Sequence, residues 1–302
     1  CQKPHLQIIY EIVILKLKFA KKKMIYPGQI FELKASRQTD NGIYLVDEDN
    51  IEVLLPNKYI PDDLELGGNI SVFVYKDSED RLIATTLQPK IFLNCFAPLK
   101  AVDKNKHGVF FDMGLEKDLF VPHNQQQSEI KLGHTYVVYM YLDNVTNRLV
   151  GSTKISKWLE RDIVEVEIGE EVQIMVYGQN DIGYNVIVNM KYRGIIFENE
   201  VFIKISIGDN LKAYVKKIRS DNKLDLSLNR FGYRGVDANT QKLIETLEEN
   251  EGFLALIDNT APEKIYEILG MSKKVFKKAV GALYKQKIIR LENDGIRLIK
   301  NQ

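Results

Sequence analysis

Apolar and polar residues alternate with a period of two through much of the first 228 residues, and three stretches do so on one common ruler. They read GIYLVDEDNIEVLLP, GVFFDMGLEKDLFVP and GYNVIVNMKYRGIIF, beginning at Gly42, Gly108 and Gly183. Fourteen residues after each glycine stands Pro56, Pro122 or Phe197, and twenty-five after it stands Gly67, Gly133 or Gly208. The runs LGGNISVFVYKD, LGHTYVVYMYLD and IGDNLKAYVKKI follow, each trailed by Arg81-Leu82, Arg148-Leu149 or Lys223-Leu224. Upstream lie QIFELKASR, APLKAVD and VQIMVYG, so each unit predicts about five short strands. The pitch, 66 and then 75 residues, is too long and too loose for a stacked solenoid and suits small domains with their own cores.

After Leu228 the period becomes helical. Leu243, Ile244 and Leu247 mark a helix within Thr240–Asn250. Thr260-Ala261-Pro262-Glu263 reads as a capping box opening a second helix, which Gly270 ends, and Ser272 caps a third. On that third helix Phe276, Ala279, Val280 and Leu283 share one side, and Lys274, Lys278 and Lys285 with Gly281 lie opposite. IIRL and IRLI flank the turn signal Glu292-Asn293-Asp294-Gly295, completing a winged helix-turn-helix. The expected boundaries are 24–90, 91–158 and 159–232 for the three barrels and 233–302 for the winged helix. Residues 1–23 precede them as an extension that is either disordered or foreign to the natural chain, with Met24 as a candidate start.

Composition narrows this further. At 302 residues, 45% hydrophobic and 27% charged, the chain has the make-up of a soluble globular protein built of several small domains. The net charge of +1 excludes an argument from overall charge, so a polyanion site must be a local patch. Such a patch exists: Gly270–Gln302 holds nine lysines and arginines against two acids. Cys1 and Cys95 make neither a disulfide framework nor a metal cluster, which suits a reducing cytosol, and Cys95 reads as a buried thiol. The apolar run IIYEIVILKLKFA is broken by Glu11, Lys16 and Lys18, so no membrane span is expected.

Candidate chemistry lies in the strands. Within Gly108-Val109-Phe110-Phe111-Asp112 the two phenylalanines must face opposite ways, one into the core and one outward. An aromatic on the outer face of a small barrel is a platform for a nucleic-acid base, and Tyr44 occupies the same place in the first unit. Tyr139 and Tyr141 share one strand face that would border a groove, with Phe73 and Tyr75 as the first unit's counterparts and Tyr214 and Lys216 as the third's. His107 would sit at the groove's rim. In the third unit Asn185 takes the aromatic place, and Lys212, Lys216, Lys217 and Arg219 would grip phosphates. Core packing for the aromatics and plain solvation for the lysines are the competing structural readings.

These residues resemble the S1 domain, the RNA-binding OB-fold module, in the glycine, the aromatic two residues on, and the strand ending near Leu55-Pro56 or Val121-Pro122. The order of three such units and a winged helix, with LGMSKKVFKKAVGALYKQKIIRL near the end, resembles the conserved virulence factor B family. The resemblance implies a mainly β multidomain chain: three tandem five-stranded OB-fold (S1-like) barrels followed by an α+β winged helix. It also implies a cytoplasmic, non-enzymatic regulator that binds single-stranded RNA, with no cofactor, no metal and no particular target. The rival readings are a DNA-binding transcription regulator using Lys274, Lys278, Lys285, Arg290 and Arg297, and an adaptor docking on a ribosome or RNA polymerase. No metal-ligand spacing among His5, His107, His123 and His134, no phosphate loop and no nucleophile elbow argue for an enzyme. Oligomeric state is not legible in the chain.

Overall fold

The computed structural model describes residues 25–77, 79–162, 164–201, 203–228, 238–285 and 287–299. The expected extension, residues 1–23, lies outside them. Two compact units divide after Leu159.

In the first unit, β1 (Gln29–Thr39), β2 (Gly42–Val46), β3 (Glu52–Pro56), β4 (Asn69–Lys76) and β5 (Leu82–Thr85) close into a barrel of order β1-β2-β3-β5-β4. Neighbours are antiparallel except β3 and β5, which are parallel. A second set follows: β6 (Phe96–Asn105), β7 (Gly108–Asp112), β8 (Leu119–Pro122), β9 (Thr135–Leu142) and β10 (Leu149–Ser152). It forms a sheet of order β10-β9-β6-β7-β8 that curls until its edges nearly meet. A Cβ at Gly151 on β10 would lie 2.7 Å from Val121 on β8. The second unit begins with β11 (Glu171–Asn180), β12 (Gly183–Val188), β13 (Tyr192–Phe197), β14 (Asn210–Ile218) and β15 (Leu224–Ser227), again a closed barrel.

The glycine ruler has a steric cause. Gly42, Gly108 and Gly183 pair with Pro56, Pro122 and Phe197 across the β2–β3, β7–β8 and β12–β13 hairpins. A Cβ there would fall 2.0 Å from the Leu55 carbonyl oxygen, 2.3 Å from that of Val121 and 2.0 Å from that of Ile196. Only glycine lets the strands approach so closely. The later glycines serve a different need. Gly67, Gly133 and Gly208 adopt φ of +90°, +81° and +94° and donate their N–H groups to the carbonyls of Ala35, Ala101 and Val176 at 2.7, 2.8 and 2.7 Å. Those three acceptors mark β-bulges, where one extra residue bends the long first strand so that it serves two neighbours.

A third turn completes the pattern. The N–H groups of Gly28, Asn94 and Gly169 donate to Val74, Met140 and Val215 at 2.7, 2.8 and 2.7 Å, all three residues at positive φ. Asparagine tolerates the left-handed region, which is why the second barrel makes this turn without a glycine.

Barrels one and two are joined by packing as well as by chain. Ile30, Phe73 and Tyr75 of the first barrel and Ile91 and Phe92 of the link share one buried cluster with Phe111, Val121 and Met140 of the second. Phe73 and Tyr75 are 2% and 6% exposed. Tyr75 still lines a groove on the second barrel, whereas Phe73 is closed off from it: most of the outer face of β4 is covered, because leaving two adjacent aromatic rings in water is costlier than seating a neighbouring barrel on them. Cys95 is half-buried against the same cluster.

The C-terminal region holds α1 (Ala238–Glu249), α2 (Pro262–Leu269) and α3 (Lys273–Lys285), with β16 (Phe253–Leu254), β17 (Ile289–Leu291) and β18 (Ile296–Leu298) in the order β16-β18-β17. Its core gathers Leu243, Leu247, Ile265, Leu269, Phe276 and Leu283. Gly270 ends α2 at φ 60°, and the Ser272 hydroxyl accepts the Val275 N–H at 3.4 Å, both as expected. The capping box is not formed. Ala261 is the N-cap and Pro262, which has no N–H to satisfy, opens the helix, while the Thr260 hydroxyl accepts the Ile257 N–H in the preceding turn. No helix among the described residues is long and apolar enough to cross a membrane.

Placing a methyl at Gly42 should cost about 3 kcal/mol of stability, because the Leu55 carbonyl cannot move without breaking the hairpin. Gly67→Ala, where the added carbon meets open space, should cost only the about 1–2 kcal/mol of a left-handed alanine. Urea unfolding of the two variants side by side measures the difference.

Candidate nucleic-acid interface

Because Gly108 faces Pro122, the antiparallel register sets Phe120 directly across from Phe110. Phe111 points inward and is fully buried, so Phe110 points outward, and its ring lies 5.2 Å from that of Phe120 at a 43° tilt. This half-buried pair lies along an open groove of about 860 Å³ on the second barrel. His107 stands at its rim with its N–H donated to the Asn105 side chain at 2.8 Å, and Tyr141 of β9 joins the wall. Lys76, Lys117 and Arg148 line the side nearest the first barrel.

The groove is not uniformly basic. Asp103, Glu116, Asp118 and Asp143 also line it. Burial, followed by the charges of Asp112 and Asp103, holds the Asp118 carboxyl above the usual carboxylate range. Glu116 pairs with Lys58, and Asp143 accepts the Thr146 N–H and hydroxyl at 2.8 Å each. Arg148 is drawn to Asp80 at 2.6 Å. A surface of this kind favours a ligand with flat apolar faces and a few charges over a bare polyanion.

The remaining expected residues are distributed unevenly. Tyr44 is half-buried at the position equivalent to Phe110, but the Arg37 guanidinium lies 3.7 Å from its ring centre, fixed by Glu52 at 2.8 Å. One face of Tyr44 is thus already covered. Tyr139 is packed between Phe96 at 4.7 Å and Trp158 at 4.4 Å, and Tyr141 rests 4.7 Å from the same indole. Burial pushes both hydroxyls above the usual tyrosine range. The groove therefore brings His107, Phe110 and Tyr141 together and leaves Tyr44 and Tyr139 elsewhere. Phe120, Trp158, Lys117 and Arg148 were missed. The ruler itself could have found Phe120, since pairing of residues 108 and 122 requires pairing of 110 and 120.

On the third barrel Asn185 is flanked by Ile187 and Ile195, both fully buried, and the ring on this face, Phe197, has the Arg219 guanidinium 5.7 Å from its centre. Three of the four expected phosphate contacts are engaged: Lys212 with Glu171 at 2.7 Å, Lys216 with Glu200 at 2.5 Å and Arg219 with Asp225 at 2.6 Å. Lys217 is exposed. Tyr214, the other counterpart on β14, donates its hydroxyl to Glu171 at 3.0 Å. In the winged helix Lys274, Lys278 and Lys285 are exposed around Gly281, which has open space before it. Arg290 and Arg297 of the wing both reach Glu292, at 2.8 and 3.0 Å, and Arg297 also lies 4.5 Å from the Phe253 ring centre.

Comparison with known proteins accords with this architecture. Residues 27–87 match the S1 domain family, and residues 241–298 match the CvfB-like winged helix domain. A conserved virulence factor B of Staphylococcus epidermidis is 27% identical over 247 residues, which is 79% of this chain and 83% of that protein. The uncharacterized protein YitL of Bacillus subtilis is 29% identical over 275 residues, 88% of this chain and 92% of its own length. Among solved structures, the crystal structure of a multidomain protein with nucleic acid binding domains from Streptococcus pneumoniae covers 90% of this chain and 98% of its own, at 24% identity and a TM-score of 0.44.

The inward and outward rings should separate cleanly in stability. Phe111→Ala should cost about 3–5 kcal/mol by opening a cavity in the shared core, whereas Phe110→Ala should cost about 1 kcal/mol or less. Thermal melts of the two variants, followed by circular dichroism, test this assignment of faces.

Proposed function

We propose that this homologue of the conserved virulence factor B proteins, carrying an S1 domain and a CvfB-like winged helix, is a non-enzymatic cytoplasmic regulatory protein that binds single-stranded RNA. The observation that carries the reading is the groove of the second barrel, where Phe110, Phe120 and Tyr141 offer ring surface beside Lys117 and Arg148. Bases of a single strand are free to leave their own stack and lie on such rings, and each is worth about 1–3 kcal/mol. A duplex keeps its bases inside and would meet only the groove's few cations.

A second reading rests on a separate observation. The exposed Lys274, Lys278 and Lys285 surround a glycine with no side chain to hold a ligand away, an arrangement that suits close approach to a duplex backbone. On that reading the chain is a DNA-binding regulator and the barrels are accessory. A pull-down of ribosome or RNA polymerase that survives nuclease treatment would favour an adaptor instead.

Fluorescence anisotropy of labelled oligouridylate, with unlabelled duplex DNA as competitor, tests these readings. Phe110→Ala should weaken RNA binding about 5- to 150-fold, the range of one lost stack, and Tyr44→Ala by less than about fivefold because Arg37 already occupies one face. Unchanged affinity in a folded Phe110→Ala variant would sink the stacking assignment. Duplex DNA displacing RNA at equal concentration would favour the DNA-binding reading.

A further inference from the structure

Where the first two barrels meet, Lys117 crosses from the β7–β8 connection to the end of β4. Its ammonium donates to the backbone carbonyls of Lys76 and Asp77, at 3.0 Å each. These are the polar contacts it makes in place of a carboxylate partner. The acids nearby are engaged by other cations: Asp77 by Arg81 at 2.8 Å, Asp80 by Arg148 at 2.6 Å, and Glu116 by Lys58. Two carbonyls fix the ammonium in place without neutralising it, and its third N–H is left over.

We propose that Lys117 is a phosphodiester-binding residue, held at the barrel seam so that a strand stacked on Phe110 and Phe120 sets a phosphate against it. The proposal rests on the RNA-binding reading above and deepens it. Lys76, Lys117 and Arg148 line the same groove as the Phe110–Phe120 pair; the charges beside the rings are acidic, Asp103 across from Phe110 and Asp118 two residues before Phe120, so the cations are gathered at the barrel seam. A single strand can use both parts, since its bases and its phosphates lie on opposite edges. Lys117 is exposed as a residue, yet partial burial of its amine, followed by the charge of Arg148, holds its pKa below the ordinary lysine range. That direction reflects chiefly the loss of water around the ammonium, and an arriving anion would supply the partner that water no longer provides. The first barrel thereby has a part in binding although most of the outer face of its β4 is covered: its backbone carbonyls position a cation that belongs to the second.

The decisive measurement is the salt dependence of binding to labelled oligouridylate for the full chain and three variants. Lys117→Gln keeps a donor for the carbonyls and removes the charge. It should lower affinity about fivefold at about 0.1 M salt and flatten the slope of log affinity against log salt by about 0.7, the share of one phosphate contact to a single strand. Lys117→Arg should restore the slope. Phe110→Ala should weaken binding at every salt concentration and leave the slope unchanged. A merely structural role for Lys117 would lower the melting temperature without altering the slope, so an unchanged slope in Lys117→Gln overturns the proposal. If Phe110→Ala still weakens binding in that case, the RNA reading stands without it. Failure of the unaltered chain to bind the oligonucleotide at low salt would overturn both.

Discussion

Everything in the three barrels depends on how closely two backbones can approach at the start of the second strand. With the third strand's carbonyl 2.0–2.3 Å from the place a Cβ would take at Gly42, Gly108 and Gly183, any side chain would force the hairpin apart. The tight hairpin fixes register, and register fixes which residues face out. In the second barrel it sets Phe110 opposite Phe120; in the first it sets Tyr44 opposite Leu54, and in the third Asn185 opposite Ile195. One steric condition thus produces three frameworks whose outer faces differ only by the residues the sequence puts there.

The three copies have diverged in what covers those faces. In the first barrel, aromatic residues on β4 are buried in the seam with the second barrel, and Arg37 lies on Tyr44. Around Asn185 in the third, buried isoleucines take the neighbouring places, Arg219 lies over Phe197, and most nearby cations are bound to carboxylates. The second barrel keeps an open groove in which rings and cations lie side by side. Surface ion pairs of this kind contribute little to stability, on the order of 0–1 kcal/mol each. Their larger effect is to withdraw charge from ligand binding, so cations without a carboxylate partner matter more than the count of lysines. Lys117 of the groove, Lys217 of the third barrel and Lys274, Lys278 and Lys285 of the winged helix are cations of this kind.

Much of the architecture is written in the chain. The fourteen- and twenty-five-residue spacings encode hairpin length and the distance from the second strand to the turn before the fourth, and both are backbone quantities that demand glycine wherever they recur. The switch of period after Leu228 encodes the winged helix, and Gly270 and Ser272 punctuate it as read. What failed locally failed for a reason. Thr260 and Glu263 have the spacing of a capping box, but Pro262 at the first helical position needs no cap and the threonine is used one turn earlier. The turn at Asn94 went unread because asparagine does the work of glycine at positive φ.

Alternation along a strand determined the face of each aromatic: Phe111 in, Phe110 out. It could not determine whether an outward face is open, because that depends on which other segment packs there. Phe73 and Tyr75 point outward from their barrel as the pattern requires and are nonetheless buried, and Tyr139 lies against Trp158. The same holds for charge. Sequence supplied the cations, but ion pairs between residues such as Lys216 and Glu200 form across loops whose approach no local pattern records. The chain by itself thus settled strands, turns and the direction of each ring, since these follow from short-range sterics. Only the tertiary structure decided which rings and which cations remain available, since availability is set by contacts between segments far apart in sequence.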